Sequence, residues 1–201
     1  MIVGADDSSD RQVLTRADSL YRSYRLRRVY YSAFSPIPDS SPVIPSSSPP
    51  LVREHRLYQA DWLLRFYGYA VDEIVNRDRP QLDLDLDPKL SWALQNRGLF
   101  PVDVNRAPRE LLLRVPGLGV RNVHRILSIR RHARLHLGDL RKLRLSLPKV
   151  MPFVVTADHI PPVRELDADR LRARFLPPPK QLELDLTAPP RRDPSVLTGE
   201  L

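Results

Sequence analysis

Apolar residues recur at helical spacing along much of this chain. Val13, Leu14, Ala17, Leu20 and Tyr21 share one face of a segment that Ser9 or Asp10 can cap, which predicts a helix to about residue 25. Leu57, Ala60, Leu63, Leu64 and Tyr67 form the apolar stripe of a stronger helix over 51–68, with Arg53, Glu54, Arg56 and Arg65 opposite and Gly68 placed to end it. Shorter helices are expected over 71–75, over 88–96 (packing Leu90, Trp92, Ala93 and Leu94) and over 137–143, with a charged one over 164–175. Ile2-Val3-Gly4-Ala5 and the β-branched, aromatic run over 28–34 read as strands. A single strand-helix-strand unit of this size exposes both sheet edges and calls for more sheet. The Pro/Ser-dominated stretch over 35–50 cannot hold regular structure, and the alternating Gln81-Leu-Asp-Leu-Asp-Leu-Asp87 reads as a strand or extended linker.

The most informative residues are Val115-Pro116-Gly117-Leu118-Gly119-Val120, between helical patterns over 108–114 and 121–131. Asn105 is the expected N-cap of the first of these helices, though Pro108 at the first turn also suits a start one residue later. Two glycines one residue apart let the backbone turn sharply. They also leave N–H groups exposed at the start of the second helix, which suits an anion. Leu112, Leu113, Val115, Leu118, Val123, Ile126 and Leu127 can lock the two helices together. The apolar-Pro-Gly-apolar-Gly core resembles the helix-hairpin-helix DNA-binding motif. That resemblance implies contact with backbone phosphates without sequence preference, through Gly117, Leu118, Gly119, Val120 and Arg121, with Arg125 strengthening the field. A degenerate second copy follows, with Arg144-Leu-Ser-Leu-Pro-Lys149 in place of the glycine-rich turn.

Charge sharpens this reading. Residues 105–149 carry twelve lysines and arginines against only Glu110 and Asp139, a local +10, so the rest of a chain of net +8 sums to −2. Basicity concentrated on one segment is the footprint expected of a nucleic-acid partner. The chain has no cysteine, which excludes disulfides, thiol nucleophiles and thiolate-held metals within it. No apolar run approaches the roughly 20 residues of a bilayer span. The N-terminus lacks the basic start and long apolar middle of a signal peptide, so a cytoplasmic protein without a membrane partner is expected.

The N-terminal half carries a second resemblance. Ile2-Val3-Gly4-Ala5-Asp6-Asp7 ahead of a helix is similar to the fifth strand of radical-SAM partial barrels. Gly4 stands there at a strand that contacts S-adenosylmethionine in the complete family protein, and Asp7 takes the place of a usual Glu. Residues 26–38 resemble the sixth strand, the helix holding residues 56–64 resembles the one that closes such a barrel, and Phe100-Pro-Val-Asp-Val-Asn-Arg-Ala-Pro108 leads into the hairpin. This order is similar to the C-terminal part of the bacterial radical-SAM protein family of DNA modification and repair, over about residues 1–155. The resemblance implies an incomplete partial-barrel piece (1–68), a helical connector (69–99) and an all-α helix-hairpin-helix domain (100–155), and the proline-rich composition beyond them reads as a charged helix with a disordered tail (156–201). The fold class expected is thus a mixed α/β N-terminal piece followed by an all-α domain.

In that family three cysteines hold an iron–sulfur cluster that cleaves S-adenosylmethionine; both are expected only in the complete family protein. This chain therefore reads as a DNA-binding C-terminal fragment without independent catalysis or catalytic residues. The alternative is a subunit of a split enzyme that becomes active with a cysteine-bearing partner chain.

Further motifs add less. Gln181, Leu182, Leu184 and Leu186 resemble the bacterial sliding-clamp binding peptide, which docks extended from a mobile segment. Gln81-Leu82-Asp83-Leu84-Asp85-Leu86 matches the same pattern within a segment expected to be folded. His132 and His136, four apart, would share a helix face but have no third ligand of suitable type and arginine neighbours, so no metal site is expected. Asp83, Asp85 and Asp87 lack the glycine and terminal Glu of a calcium loop and are read as solvent-facing.

Overall fold

The computed structural model describes residues 1–37, 45–163 and 167–176. Among these the chain is mostly helical, with a few two-residue parallel strands. Strand β1 (Ile2–Val3) leads into helix α1 (Asp10–Tyr24). Ser9 and Gln12 cap α1 reciprocally: the Gln12 N–H donates to Ser9 Oγ at 3.3 Å and the Ser9 N–H to Gln12 Oε1 at 2.8 Å. Strand β2 (Ser32–Ala33) returns parallel to β1, pairing Ile2 with Ser32 and Val3 with Ala33.

The strand expected over 28–34 is therefore only two residues long, because its partner offers only two residues to pair with. Further sheet is replaced by side chains of helix α2 (Leu51–Tyr67). The Ala33 N–H donates to Glu54 Oε2 at 2.8 Å, and the Tyr58 hydroxyl both receives the Tyr31 N–H at 3.0 Å and donates to the Tyr31 carbonyl at 2.9 Å. Backbone groups that a third strand would have paired are thus satisfied by a helix. Gly68, at φ +68, ends α2 with its N–H on the Leu63 carbonyl.

Helix α2 belongs to both hydrophobic cores. Its N-terminal half supplies Leu57 and Ala60 to a core with Val3, Leu14, Ala17, Val29 and Tyr31. Leu63 joins the second and larger core, built with Leu90, Trp92, Leu112, Leu118, Ile126 and Phe153. Buried Asp61 of α2 accepts from Tyr21 Oη (2.5 Å), Tyr31 Oη (3.1 Å) and Arg65 Nε (2.9 Å). Burial, with the neighbouring Asp61 charge, drives the Tyr31 hydroxyl far above its ordinary range.

Helices α3 (Val71–Ile74) and α4 (Pro88–Gln95) follow. The acidic alternating segment between them has no regular structure: Leu82 and Leu86 are buried, and Asp83 closes a turn by accepting the N–H groups of Asp85 and Leu86. Its aspartates were expected to face solvent, but two of the three are engaged. Asp83 also pairs with Arg172 at 2.6 Å, and Asp87 caps α4 through the Leu90 N–H and pairs with Lys149. The segment over 100–155, expected to be all-α, also holds strands: β3 (Val102–Asp103) and β4 (Val154–Val155) pair in parallel and frame the basic segment, a long-range pairing that helical periodicity does not reveal. Between them lie α5 (Arg109–Arg114), α6 (Val120–Ile129), α7 (Leu137–Lys142) and α8 (Leu147–Val150). Helix α9 (Ala168–Phe175), capped by Asp167, closes the described chain against α4.

Candidate nucleic-acid interface

The turn between α5 and α6 is built by local backbone demands. Pro108, not Asn105, is the N-cap of α5, with φ −66° and ψ 160°. Asn105 is used elsewhere: its amide receives the Leu135 N–H at 2.7 Å and donates to the Leu135 carbonyl at 3.1 Å. The partner lies thirty residues away, so the local helix-start pattern carried no sign of it. After α5 the chain turns through Gly117 at φ +80°, a conformation that L side chains rarely adopt. A Cβ on Gly117 would also stand 2.8 Å from Val150 Cγ2 of α8. Leu118 is buried, and its N–H reaches back to the Val115 carbonyl at 3.2 Å.

Gly119 differs from Gly117. It is the N-cap of α6, with φ −84° and ψ 159°, a region open to any residue, and a Cβ there would meet only the Tyr67 hydroxyl oxygen at 3.7 Å. The fold imposes no glycine at this position. The N–H groups of Gly119 and Arg121 meet no protein acceptor among the described residues. The Tyr67 hydroxyl lies close to the Val120 N–H, beside these donors. Burial pushes the Tyr67 hydroxyl up from its ordinary range, and that N–H partly opposes the shift.

Beneath the turn lies Lys89, 8% exposed, whose Nζ donates to the Leu118 carbonyl at 2.6 Å and stands 4.5 Å from the centre of the Tyr67 ring. Burial pulls its ammonium down to about 7; Asp87 resists the shift, while Lys149 and Arg114 add to it. Nothing in the sequence singled out Lys89 or Tyr67, since each lies within a helix whose pattern reads as ordinary packing.

The twelve cations of residues 105–149 fall into two groups. Arg114 forks onto Glu73 at 2.9 and 3.0 Å and lies over the Tyr69 ring at 3.7 Å. Arg130 donates to the carbonyls of Val104 and Ala107, while Lys142 pairs with Asp139, Lys149 with Asp87, and Arg106 more loosely with Asp103. Arg109, Arg121, Arg125, Arg131, Arg134, Arg141 and Arg144 are exposed, with no acidic partner among the described residues. Arg121 and Arg125 are one turn apart on the outer side of α6, away from buried Val123 and Ile126.

The degenerate second turn repeats the first. Arg144 is left-handed (φ +58°), Leu145 follows, and Ser146 precedes α8, in the same order as Gly117, Leu118 and the cap Gly119. Val150 of α8 packs beneath Gly117, so the two turns support each other.

The remaining expected sites are dispersed. Gly4, at φ +80°, is covered by Pro49, whose Cγ would be 2.7 Å from an added Cβ. His132 lies beyond the end of α6 and His136 caps α7, so they do not share a helix. No group of three His, Cys, Asp or Glu could hold a metal among the described residues. With no cysteine in the chain, the donors present do not fit an iron–sulfur cluster. Gln181, Leu182, Leu184 and Leu186 lie outside the described residues. Among the described residues no helix is long and apolar enough to cross a membrane. No protein-family model, curated protein or solved structure matches this chain.

Proposed function

We propose that this chain binds DNA through its phosphate backbone, without sequence preference, at the helix-hairpin-helix formed by α5, the Gly117-Leu118-Gly119 turn and α6. The observation that carries this reading is Gly119. Its backbone conformation and its surroundings would accept a side chain, yet the position holds glycine at the start of a helix with N–H donors to spare. A bare backbone there serves close approach by a ligand rather than folding. Arg121 and Arg125 beside it, with no acidic partner among the described residues and in a segment of net +10, make that ligand an anion of extended charge. The donors offered are the N–H groups of Gly119, Val120 and Arg121 at the start of α6.

The setting we propose is a DNA modification or repair protein of the radical-SAM type, of which this chain supplies the DNA-binding part. The parallel β1–α1–β2 unit, a repeating element of strand-helix barrels, supports that reading. The cluster itself does not fit the donors of this chain, and no catalytic step is assigned to its residues. Fluorescence anisotropy of labelled duplex DNA at rising salt tests the proposal. The logarithm of the affinity should fall linearly with the logarithm of salt concentration, and affinity should be indifferent to sequence. A chain that leaves duplex anisotropy unchanged at low salt does not have this function.

A further inference from the structure

A cleft of about 410 Å³ opens beside the hairpin turn, between α2 and the start of α4, a size within the range of pockets that enclose small ligands. Gln59, Trp62 and Tyr67 line it from α2, and Asp87, Lys89 and Lys149 line the other side. Three of these residues also touch the turn. The Tyr67 hydroxyl would lie 3.7 Å from a Cβ on Gly119, Lys89 donates to the Leu118 carbonyl, and the Lys149 side chain would lie 3.7 Å from a Cβ on Gly117. The cleft is therefore continuous with the proposed phosphate site.

Its most distinctive lining residue is Trp62, an indole left 52% exposed on a helix whose neighbouring Asp61 and Leu63 are buried. Phe66 packs against it at 4.7 Å between ring centres, tilted by 50°. Gln59 accepts from Arg56 through Oε1 at 2.9 Å, which leaves its NH₂ group to donate. Asp87 is committed to Lys149 and to capping α4, so the lining opposes an anionic strand with no unpaired carboxylate.

From this juxtaposition we infer that the cleft takes an unpaired nucleobase, stacked on Trp62, from a strand whose phosphate rests at the start of α6. This inference rests on the DNA-binding reading above and names the form of DNA preferred: single-stranded ends and gaps next to duplex. A paired base keeps its faces inside the duplex stack, whereas an unpaired one offers them to an exposed indole.

The test compares a blunt duplex, the same duplex with a short oligo-dT overhang, and oligo-dT alone, using the full chain in fluorescence anisotropy. The overhang should bind about tenfold tighter than the blunt duplex. Trp62→Ala should erase that preference and leave blunt-duplex affinity unchanged, whereas Trp62→Phe, which keeps a ring, should retain most of it. Tryptophan emission gives a second readout, because Trp92 is buried and Trp62 exposed. Oligo-dT should quench the emission of the native chain and leave that of Trp62→Phe unchanged. Equal affinity of the native chain for blunt and overhang duplexes, an overhang preference that survives Trp62→Ala, or emission insensitive to oligo-dT would overturn the inference and leave the hairpin reading intact. Absence of binding to every DNA would overturn both.

Discussion

Lys89 Nζ donates to the carbonyl of Leu118 at 2.6 Å, placing a buried ammonium directly under the turn proposed to meet DNA. The bond fixes the residue between the two glycines to the start of α4, so the turn is anchored from inside the molecule. Burial pulls the Lys89 ammonium down to about 7 from an ordinary value of 10.5. Between those two values the unfolded chain carries a proton that the folded chain has shed, so stability should rise with pH through this window. The slope is at most about 1.4 kcal/mol per pH unit. Above pH 10 the sign reverses. Tyr21, pushed up to about 12, and the still higher Tyr31 and Tyr69 then ionise only in the unfolded chain. Urea unfolding across pH 6.5 to about 9.5 should show the rise, and Lys89→Met should flatten it. A native slope equal to that of the variant would remove Lys89 as its cause.

The two glycines of the turn should separate stability from binding. Gly117→Ala places a Cβ at φ +80° and 2.8 Å from Val150 Cγ2, and should cost about 2–4 kcal/mol of stability. Gly119→Asp adds a preferred N-cap where the backbone accepts one, so stability should hold or rise by a few tenths of a kcal/mol. Its carboxylate would nevertheless occupy the N–H donors and repel phosphate, and duplex binding should be lost. Chemical denaturation and anisotropy on the same samples check both. A Gly119→Asp variant that binds DNA as well as the native chain would remove the α6 N-terminus from the interface.

The arginines should divide in the same way. Arg121→Ala and Arg125→Ala remove exposed cations that have no acidic partner among the described residues, so each should lower the salt dependence of duplex binding by about 0.9 in the log–log slope and leave the melting temperature unchanged. Arg130→Ala instead strips two carbonyls, Val104 and Ala107, of their donor, and should cost about 2–3 kcal/mol of stability. An unchanged slope in the Arg121 and Arg125 variants would place the DNA elsewhere on the molecule.

What could be read from the sequence was what short-range chemistry decides. A cap at Ser9 (offered beside Asp10), the stop at Gly68 and the sharp turn at Gly117 each follow from residues within a few positions of one another, and the structure has all three. Asn105 was misplaced because its two hydrogen bonds go to Leu135, and a local pattern cannot distinguish a helix cap from a long-range clamp. Asp83 and Asp87 looked solvated for the same reason, since Arg172 and Lys149 reach them from distant helices. At the candidate site the glycines and outer arginines were legible, whereas Tyr67, Lys89 and Trp62 were not. Those three gain meaning only when α2 and α4 are brought against the turn.

The extent of the N-terminal sheet is a tertiary matter too, and it gives the last prediction. The Tyr58 hydroxyl satisfies both backbone groups of Tyr31 just ahead of β2, at 3.0 and 2.9 Å, in place of a neighbouring strand. Tyr58→Phe keeps the ring, including its edge-on packing at 5.1 Å against Tyr31, and removes only the oxygen. A buried N–H and carbonyl would then be unpaired, at a cost of about 1–3 kcal/mol. Amide exchange locates the effect better than global stability can. The Tyr31 amide should lose protection in the variant by more than the overall destabilisation explains, while Ser32 N–H, which donates to the Met1 carbonyl at 3.0 Å, keeps its bond. If Tyr31 and Ser32 lose protection equally, and only by the global amount, the helix side chain is not acting as the missing edge of the sheet.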